Sequence, residues 1–183
     1  MSGSSKDILV NRSGIPQAPF IDDVDKWMQG EEAESTLRKF DEMLQKYKYM
    51  EASSQARKRT LEDKVPEIRK TLDVVKFIMS RTDSAEPIDS QFEVNDTLWL
   101  NAKIKNPQTV YLWLGANVML EYPLGEAESL LDEKLTGVLK TLQALGEDLQ
   151  FLREQITTIE VNIARVYNWD VKDRRTRRDG KAK

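Results

Sequence analysis

The chain has no cysteine and no histidine among its 183 residues. Without cysteine there are no disulfides and no thiolate nucleophile; without either residue the usual zinc ligands and the commonest general base are gone. An enzyme relying on those groups is excluded, and neither a metal nor a cofactor is expected. Lack of cysteine also suits a reducing, intracellular setting. Long apolar runs are missing too. None approaches the roughly 18 residues that span a bilayer, and the first stretch, MSGSSKDILVNRSGIPQAP, holds no signal-type apolar segment. No GxxxxGK[ST] phosphate loop occurs, which fits a protein that uses no nucleotide. The expectation is a soluble cytosolic protein with no membrane partner.

What is present is charge. Charged residues make up 32% and apolar ones 39%, with a mean hydropathy of −0.59. That is too polar for one large core and too rich in Leu, Ile and Val for a disordered chain, a balance that suits long helices with a narrow buried stripe. The net charge of −3 is unevenly spread. Residues 124–170 carry nine acids against four bases, net −5, while residues 171–183 carry seven bases against two acids, net +5.

From Leu37 onward, steps alternating between four and three residues trace a heptad seam through Phe40, Leu44, Tyr47, Glu51, Ser54, Lys58, Leu61, Val65, Ile68, Leu72, Val75 and Met79, apolar at ten of thirteen positions. The same walk from Leu131 to Val166 meets no polar residue at any of its eleven positions. Each helix would run about 45 residues, on the order of 70 Å at about 1.5 Å per residue. So narrow a seam needs a partner helix, and the chain between the two can return it; the spacing predicts an antiparallel pair. Pro66 is the misfit. It should bend the first helix without ending it, because the register continues beyond it. Glu51, Ser54 and Lys58 form a polar gap expected to splay the pair there and free apolar positions of the second helix, unless the long side chains cover the seam.

Between the helices lie QFEV (91–94), TLWLNAKI (97–104), VYLWLG (110–115) and VMLEY (118–122). These are rich in β-branched and aromatic residues and are broken at Asn95-Asp96, Asn106-Pro107-Gln108 and Gly115-Ala116-Asn117, which predicts two consecutive hairpins. The expected organisation is a flexible leader over 1–30, with FIDDVDKWM (20–28) as a short helix or docking segment, then a first coiled-coil helix over 31–82 and a linker over 83–90. Two hairpins over 91–122 follow, then a second helix over 124–171 and a basic disordered tail over 172–183. The fold class is α+β, mainly α: a long antiparallel two-helix coiled coil with two β-hairpins inserted between the helices. Two slender helices can shield only part of a four-stranded patch, so its remaining apolar face implies other subunits. Leu98, Trp99, Leu100, Val110, Leu112, Trp113, Leu114, Val118 and Leu120 are the candidate subunit-interface residues.

The stretches GIPQAPFIDDVDKWM (14–28), KYKYME (46–51), KVPEIRKTLDVVKF (64–77), VYLWLGANVMLEYPLGEAESLL (110–131) and TTIEVNIARVYNWDVK (157–172) resemble the α-type subunits of prefoldin. The resemblance runs from about residue 14 to 172, and the segments outside it match nothing recognised. It implies a hetero-hexamer of two α-type and four β-type subunits, whose hairpins build a joint body from which coiled coils project. It also implies an ATP-independent co-chaperone that holds unfolded chains such as actin and tubulin and passes them to the cytosolic chaperonin. In that setting Phe40, Leu44, Ile159, Ile163, Tyr167, Trp169 and Val171 are the candidate client contacts at the coil tip. The competing reading is a coiled-coil scaffold or tether that holds no client. KDRRTRRDGKAK (172–183) is read first as a solvated tail; contact with an acidic partner or RNA, or a nuclear address, is the alternative. Nucleic-acid binding as the main role fits poorly, since heptads would then lead directly into a basic helix.

Overall fold

The computed structural model describes residues 9–82, 86–105 and 107–181. Elements follow in the order α1 (Val24–Trp27), α2 (Ala33–Ser80), β1 (Ile88–Asn95), β2 (Leu98–Ile104), β3 (Thr109–Gly115), β4 (Val118–Pro123) and α3 (Leu124–Lys181). The chain divides into two compact units, one of residues up to 59 with 143 onward, the other of residues 60–142.

In the second unit Ile68, Leu72 and Val75 of α2 bury against Leu124, Ala127 and Leu131 of α3, with Leu112 of β3 in the same cluster. Each helix contributes one face at heptad spacing and turns its charged face to water. α2 passes through Pro66 without a break in its helical assignment, and Lys76 pairs with Glu128 across the two helices at 3.8 Å. The strands form two separate antiparallel two-stranded sheets, β1–β2 and β3–β4, not one four-stranded patch. The tight turn of the second hairpin has Ala116 at φ 49° and Asn117 at φ 59° between paired Gly115 and Val118. Positive φ at both central residues is what a type I′ turn demands, and its twist matches the flanking strands. Asn tolerates that conformation; Ala116 does so at a cost of about 1 kcal/mol.

In the first unit Phe40, Leu44 and Tyr47 of α2 bury against Leu152, Ile159 and Val166 of α3, with Ala18, Ile21 and Met28 from the N-terminal segment. Ion pairs Lys48–Glu160 at 3.1 Å and Arg153–Glu51 at 3.2 Å place rising numbers on α2 beside falling numbers on α3, so the helices are antiparallel here. Glu51 therefore meets an arginine at the seam's rim, and Leu152 and Ile159 of α3 are fully buried. Of the two outcomes expected at the polar gap, cover is found in place of splaying: Glu51 reaches out to Arg153, and Leu152 and Ile159 are buried in one cluster with Ala18, Ile21 and Met28.

Two further expectations are corrected. Residues 9–30 are not a flexible leader. Asn11 Oδ1 accepts from the Ser13 and Ile15 amides at 3.0 and 2.8 Å, Gly14 takes φ 79°, and Val10 bridges Pro16. This turn, with α1 over part of the expected 20–28 helix, docks the segment on its unit. The basic run at 172–181 is helical, continuing α3, with Arg174–Asp170 and Arg177–Asp173 pairs one turn apart. Of the expected 83–90 linker, residues 88–90 belong to β1 and 83–85 lie outside the described residues, as do 1–8 of the leader, Asn106 of the expected turn and 182–183 of the tail.

Tyr47 is buried with its hydroxyl donating to the Pro16 carbonyl at 2.9 Å, and burial pushes its phenol above the ordinary value. The fold favours the neutral phenol, so its contribution is complete below the unfolded-state value of about 10 and is lost as pH rises through the raised folded value. Denaturant unfolding should show an alkaline loss above about pH 10 that is smaller in Tyr47→Phe. The same variant should be less stable by about 0.5–1.5 kcal/mol at neutral pH. An unchanged alkaline limb in Tyr47→Phe would contradict this assignment.

Candidate functional site

The register of β1–β2 sorts its residues by face, because successive side chains alternate. Ile88 opposite Ile104, Ser90 opposite Ala102 and Phe92 opposite Leu100 share one face. Asp89 opposite Lys103, Gln91 opposite Asn101 and Glu93 opposite Trp99 share the other. The second face is mostly polar, with Gln91 donating to Asn101 at 3.4 Å and Lys103 near Asp89 at 3.9 Å, and it also carries exposed Trp99. The first is apolar and uncovered: Phe92 is 65% exposed and Leu100 55% exposed, with Leu98 and Val94 also open to solvent.

β3–β4 behaves differently. Val110, Leu112 and Tyr122 turn onto the helices, and Leu112 is buried there. The opposite face presents Tyr111, Trp113 and Met119, all exposed. Beside it a groove of about 660 Å³ is lined by Trp113, Leu114, Ile68 and Leu131. Of the nine candidate interface residues, Leu98, Trp99, Leu100, Trp113, Leu114, Val118 and Leu120 are exposed, Val110 is half-buried, and Leu112 is core. An isolated two-stranded hairpin is marginal in water. The two hairpins carry bare aromatic and aliphatic surface here that no described residue of the chain covers.

The candidate client residues lie elsewhere, in the first unit, and most are shut. Phe40, Leu44 and Ile159 are buried; Ile163, Trp169 and Val171 are half-buried; Tyr167 alone is 58% exposed. Phe40, Leu44, Ile159, Ile163 and Trp169 share one cluster with Ala18, Ile21 and Met28 of the N-terminal segment. Trp169 Nε1 donates to Asp25 Oδ1 at 2.6 Å, and the segment's own Ile21 is 1% exposed, buried against the helices. The polar residues that hold this segment escaped the sequence reading. Asp148, Gln155, Asn162 and Trp169 stand seven apart on α3. Asp148 accepts from Asn11 and Ser13 at 2.9 and 2.6 Å. Gln155 Oε1 accepts from the Ala18 amide at 2.9 Å, and Asn162 Nδ2 donates to the Pro19 carbonyl at 2.6 Å. This heptad row of hydrogen-bonding residues beside the apolar seam was the available signal. Between the N-terminal segment and α2, a groove of about 1090 Å³ is walled by Leu9, Pro16, Phe20, Met43, Tyr49 and Met50. Among the described residues there is no cluster of acidic side chains suited to a metal ion, and no helix long and apolar enough to cross a membrane.

A coiled-coil helix pair with two hairpins between the helices is the architecture of a known group of chaperone subunits. The model of the prefoldin subunit family matches residues 47–169, and the chain belongs to that family. Its relatives make the assignment more particular. It is 52% identical over 178 residues to Prefoldin subunit 3 of Elsinoe fawcettii, covering 97% of this chain and 90% of that one. It is 47% identical over 164 residues to Prefoldin subunit 3 of Homo sapiens, covering 88% and 83%, and 43% identical over 174 residues to that of Saccharomyces cerevisiae, covering 90% and 87%. A chain in the cryo-EM structure of filamentous PFD from Methanocaldococcus jannaschii shares the fold with a TM-score of 0.52 at 16% identity, covering 67% of this chain and 98% of that one. The α-type prefoldin resemblance of the sequence therefore holds, and with it membership of a co-chaperone family whose subunits assemble with one another.

The two hairpins make a paired prediction. Leu112→Ala should destabilise the isolated chain by about 2–4 kcal/mol, because it leaves a cavity against α2 and α3. Leu100→Ala should stay within about 0.5 kcal/mol in the same denaturant titration. Equal losses would mean that the first hairpin is already covered within the chain.

Proposed function

We propose that the chain is one subunit of a hetero-hexamer of two α-type and four β-type prefoldin subunits, captures unfolded polypeptides of the actin and tubulin class, and delivers them to the cytosolic chaperonin without ATP. The single observation that carries this reading is the uncovered apolar face of β1–β2 together with the outward Tyr111, Trp113 and Met119 of β3–β4. Burying it against other hairpins returns about 25 cal/mol for each Å² of apolar surface removed from water, which favours assembly over a lone chain.

Client holding in this reading is multivalent. Several coils gripping one non-native chain raise its effective concentration, so weak apolar contacts at each are enough. Tyr167 is available for such contact as the chain stands, with Phe20 and Tyr49 beside the groove as further exposed aromatics. Phe40, Leu44, Ile159, Ile163, Trp169 and Val171 would contribute only where the N-terminal segment yields. The site of action in this reading is the cytosol.

Co-expression with candidate α- and β-type partners, followed by native mass measurement, tests the assembly. A six-subunit mass is expected, and the complex should suppress aggregation of denatured actin or tubulin with no nucleotide and release it to added chaperonin. A stable lone monomer with protected hairpins would overturn the reading. A hexamer unable to suppress aggregation would favour a tether.

A further inference from the structure

The N-terminal segment occupies α3 in the way a bound peptide would. Three helix side chains address its backbone: Gln155 takes the Ala18 amide, Asn162 the Pro19 carbonyl and Arg165 the Ile21 carbonyl. Such bonds read the main chain and ignore the side chains, so they suit any extended polypeptide. Side-chain identity enters chiefly through Ala18 and Ile21, three residues apart, which share a buried cluster with Leu152, Ile159 and Val166, and at the rim through Ile15 and through Phe20 beneath Arg165. Pro16 and Pro19 hold Ile15 and Ala18, the residues before them, in extended conformation.

One atom does not fit this occupant. Asn162 is 0% exposed, yet its Oδ1 has no hydrogen-bond partner among the described residues, although Nδ2 is engaged at 2.6 Å. A carboxamide facing an extended residue can accept that residue's N–H while donating to its C=O. Proline has no N–H. The carboxamide with the orphaned acceptor is thus bonded to the one residue type that has no N–H to return, and an unpaired buried acceptor weakens a contact by roughly five- to a hundredfold.

We propose that residues 15–22 are a displaceable strap filling a backbone-reading slot on α3, and that the slot's second ligand class is an extended, non-native polypeptide carrying a free amide where Pro19 lies. Why such a segment would arrive rests on the holding role proposed above. The strap keeps Leu152, Ile159 and Val166 covered when no such segment is present, and its proline makes it the weaker of the two occupants.

Two chemically identical substitutions should act in opposite directions. Both Pro16→Ala and Pro19→Ala loosen the free strap, an effect of about two- to fivefold. Only Pro19→Ala supplies the missing donor to Asn162, which outweighs that loss. In the complex with co-expressed partner subunits, hydrogen exchange at the Ala18 and Ile21 amides should slow about fivefold in Pro19→Ala and quicken about two- to fivefold in Pro16→Ala. A labelled peptide, GIPQAAFIDD, followed by fluorescence anisotropy, should bind more weakly to the first variant and more tightly to the second. With Asn162→Leu added, Pro19→Ala should lose its effect and behave like Pro16→Ala. Shifts in the same direction for the two proline variants, or no peptide binding by the Pro16→Ala complex, would overturn the strap. Opposite shifts in a complex that cannot suppress aggregation would support the strap and sink the holding role instead. Intact suppression without the opposite shifts would do the reverse.

Discussion

Everything in this chain follows from the need to cover a narrow apolar stripe on a helix too thin to cover it alone. The seam positions of α2 and α3 lie three and four residues apart, so each helix offers a ridge that only another surface can bury. Antiparallel pairing supplies most of that cover. It does so differently in the two units, and the difference is where function enters.

In the second unit the helix pair receives β3–β4, whose Leu112 completes the cluster around Ile68, Leu72 and Leu131. One face of that hairpin is thereby satisfied, while β1–β2 is left with an apolar face and no helix beneath it. In the first unit the pair receives the N-terminal segment, which inserts Ala18, Ile21 and Met28 among Phe40, Tyr47, Leu152 and Ile159. One unit therefore keeps apolar surface open and the other keeps it closed. In the proposed reading the open hairpin surface takes permanent partners and the closed slot a transient one.

The helices and hairpins were legible because their signals are periodic. Leu131 to Val166 without a polar interruption, and strands broken at Asn95-Asp96 and Gly115-Ala116-Asn117, leave little room for another arrangement. The strap was not legible for the opposite reason. Extended, proline-bearing chain has no repeat, and the burial of Ala18, Ile21 and Met28 is decided by α2 together with α3, the latter more than a hundred residues away in sequence. Phe40, Ile159 and Trp169, expected as client contacts at the coil tip, share one cluster with that segment. The row Asp148, Gln155, Asn162, Trp169 was present at heptad spacing, but polar residues beside an apolar seam ordinarily face water. Composition makes the basic run after Val171 look like a solvated tail, but Asp170 and Asp173 stand one turn before Arg174 and Arg177 and support a helix.

The central claim is that the chain closes its helical seams by itself and leaves the hairpin face for other chains to close. Hydrogen exchange of the purified chain, before and after assembly with partner subunits, tests it most directly. The account predicts slow exchange in α2 and α3 in both states, and β1–β2 amides that exchange rapidly alone and become protected on assembly. Protected β1–β2 amides in the lone chain, or helices that gain protection only with partners, would contradict it.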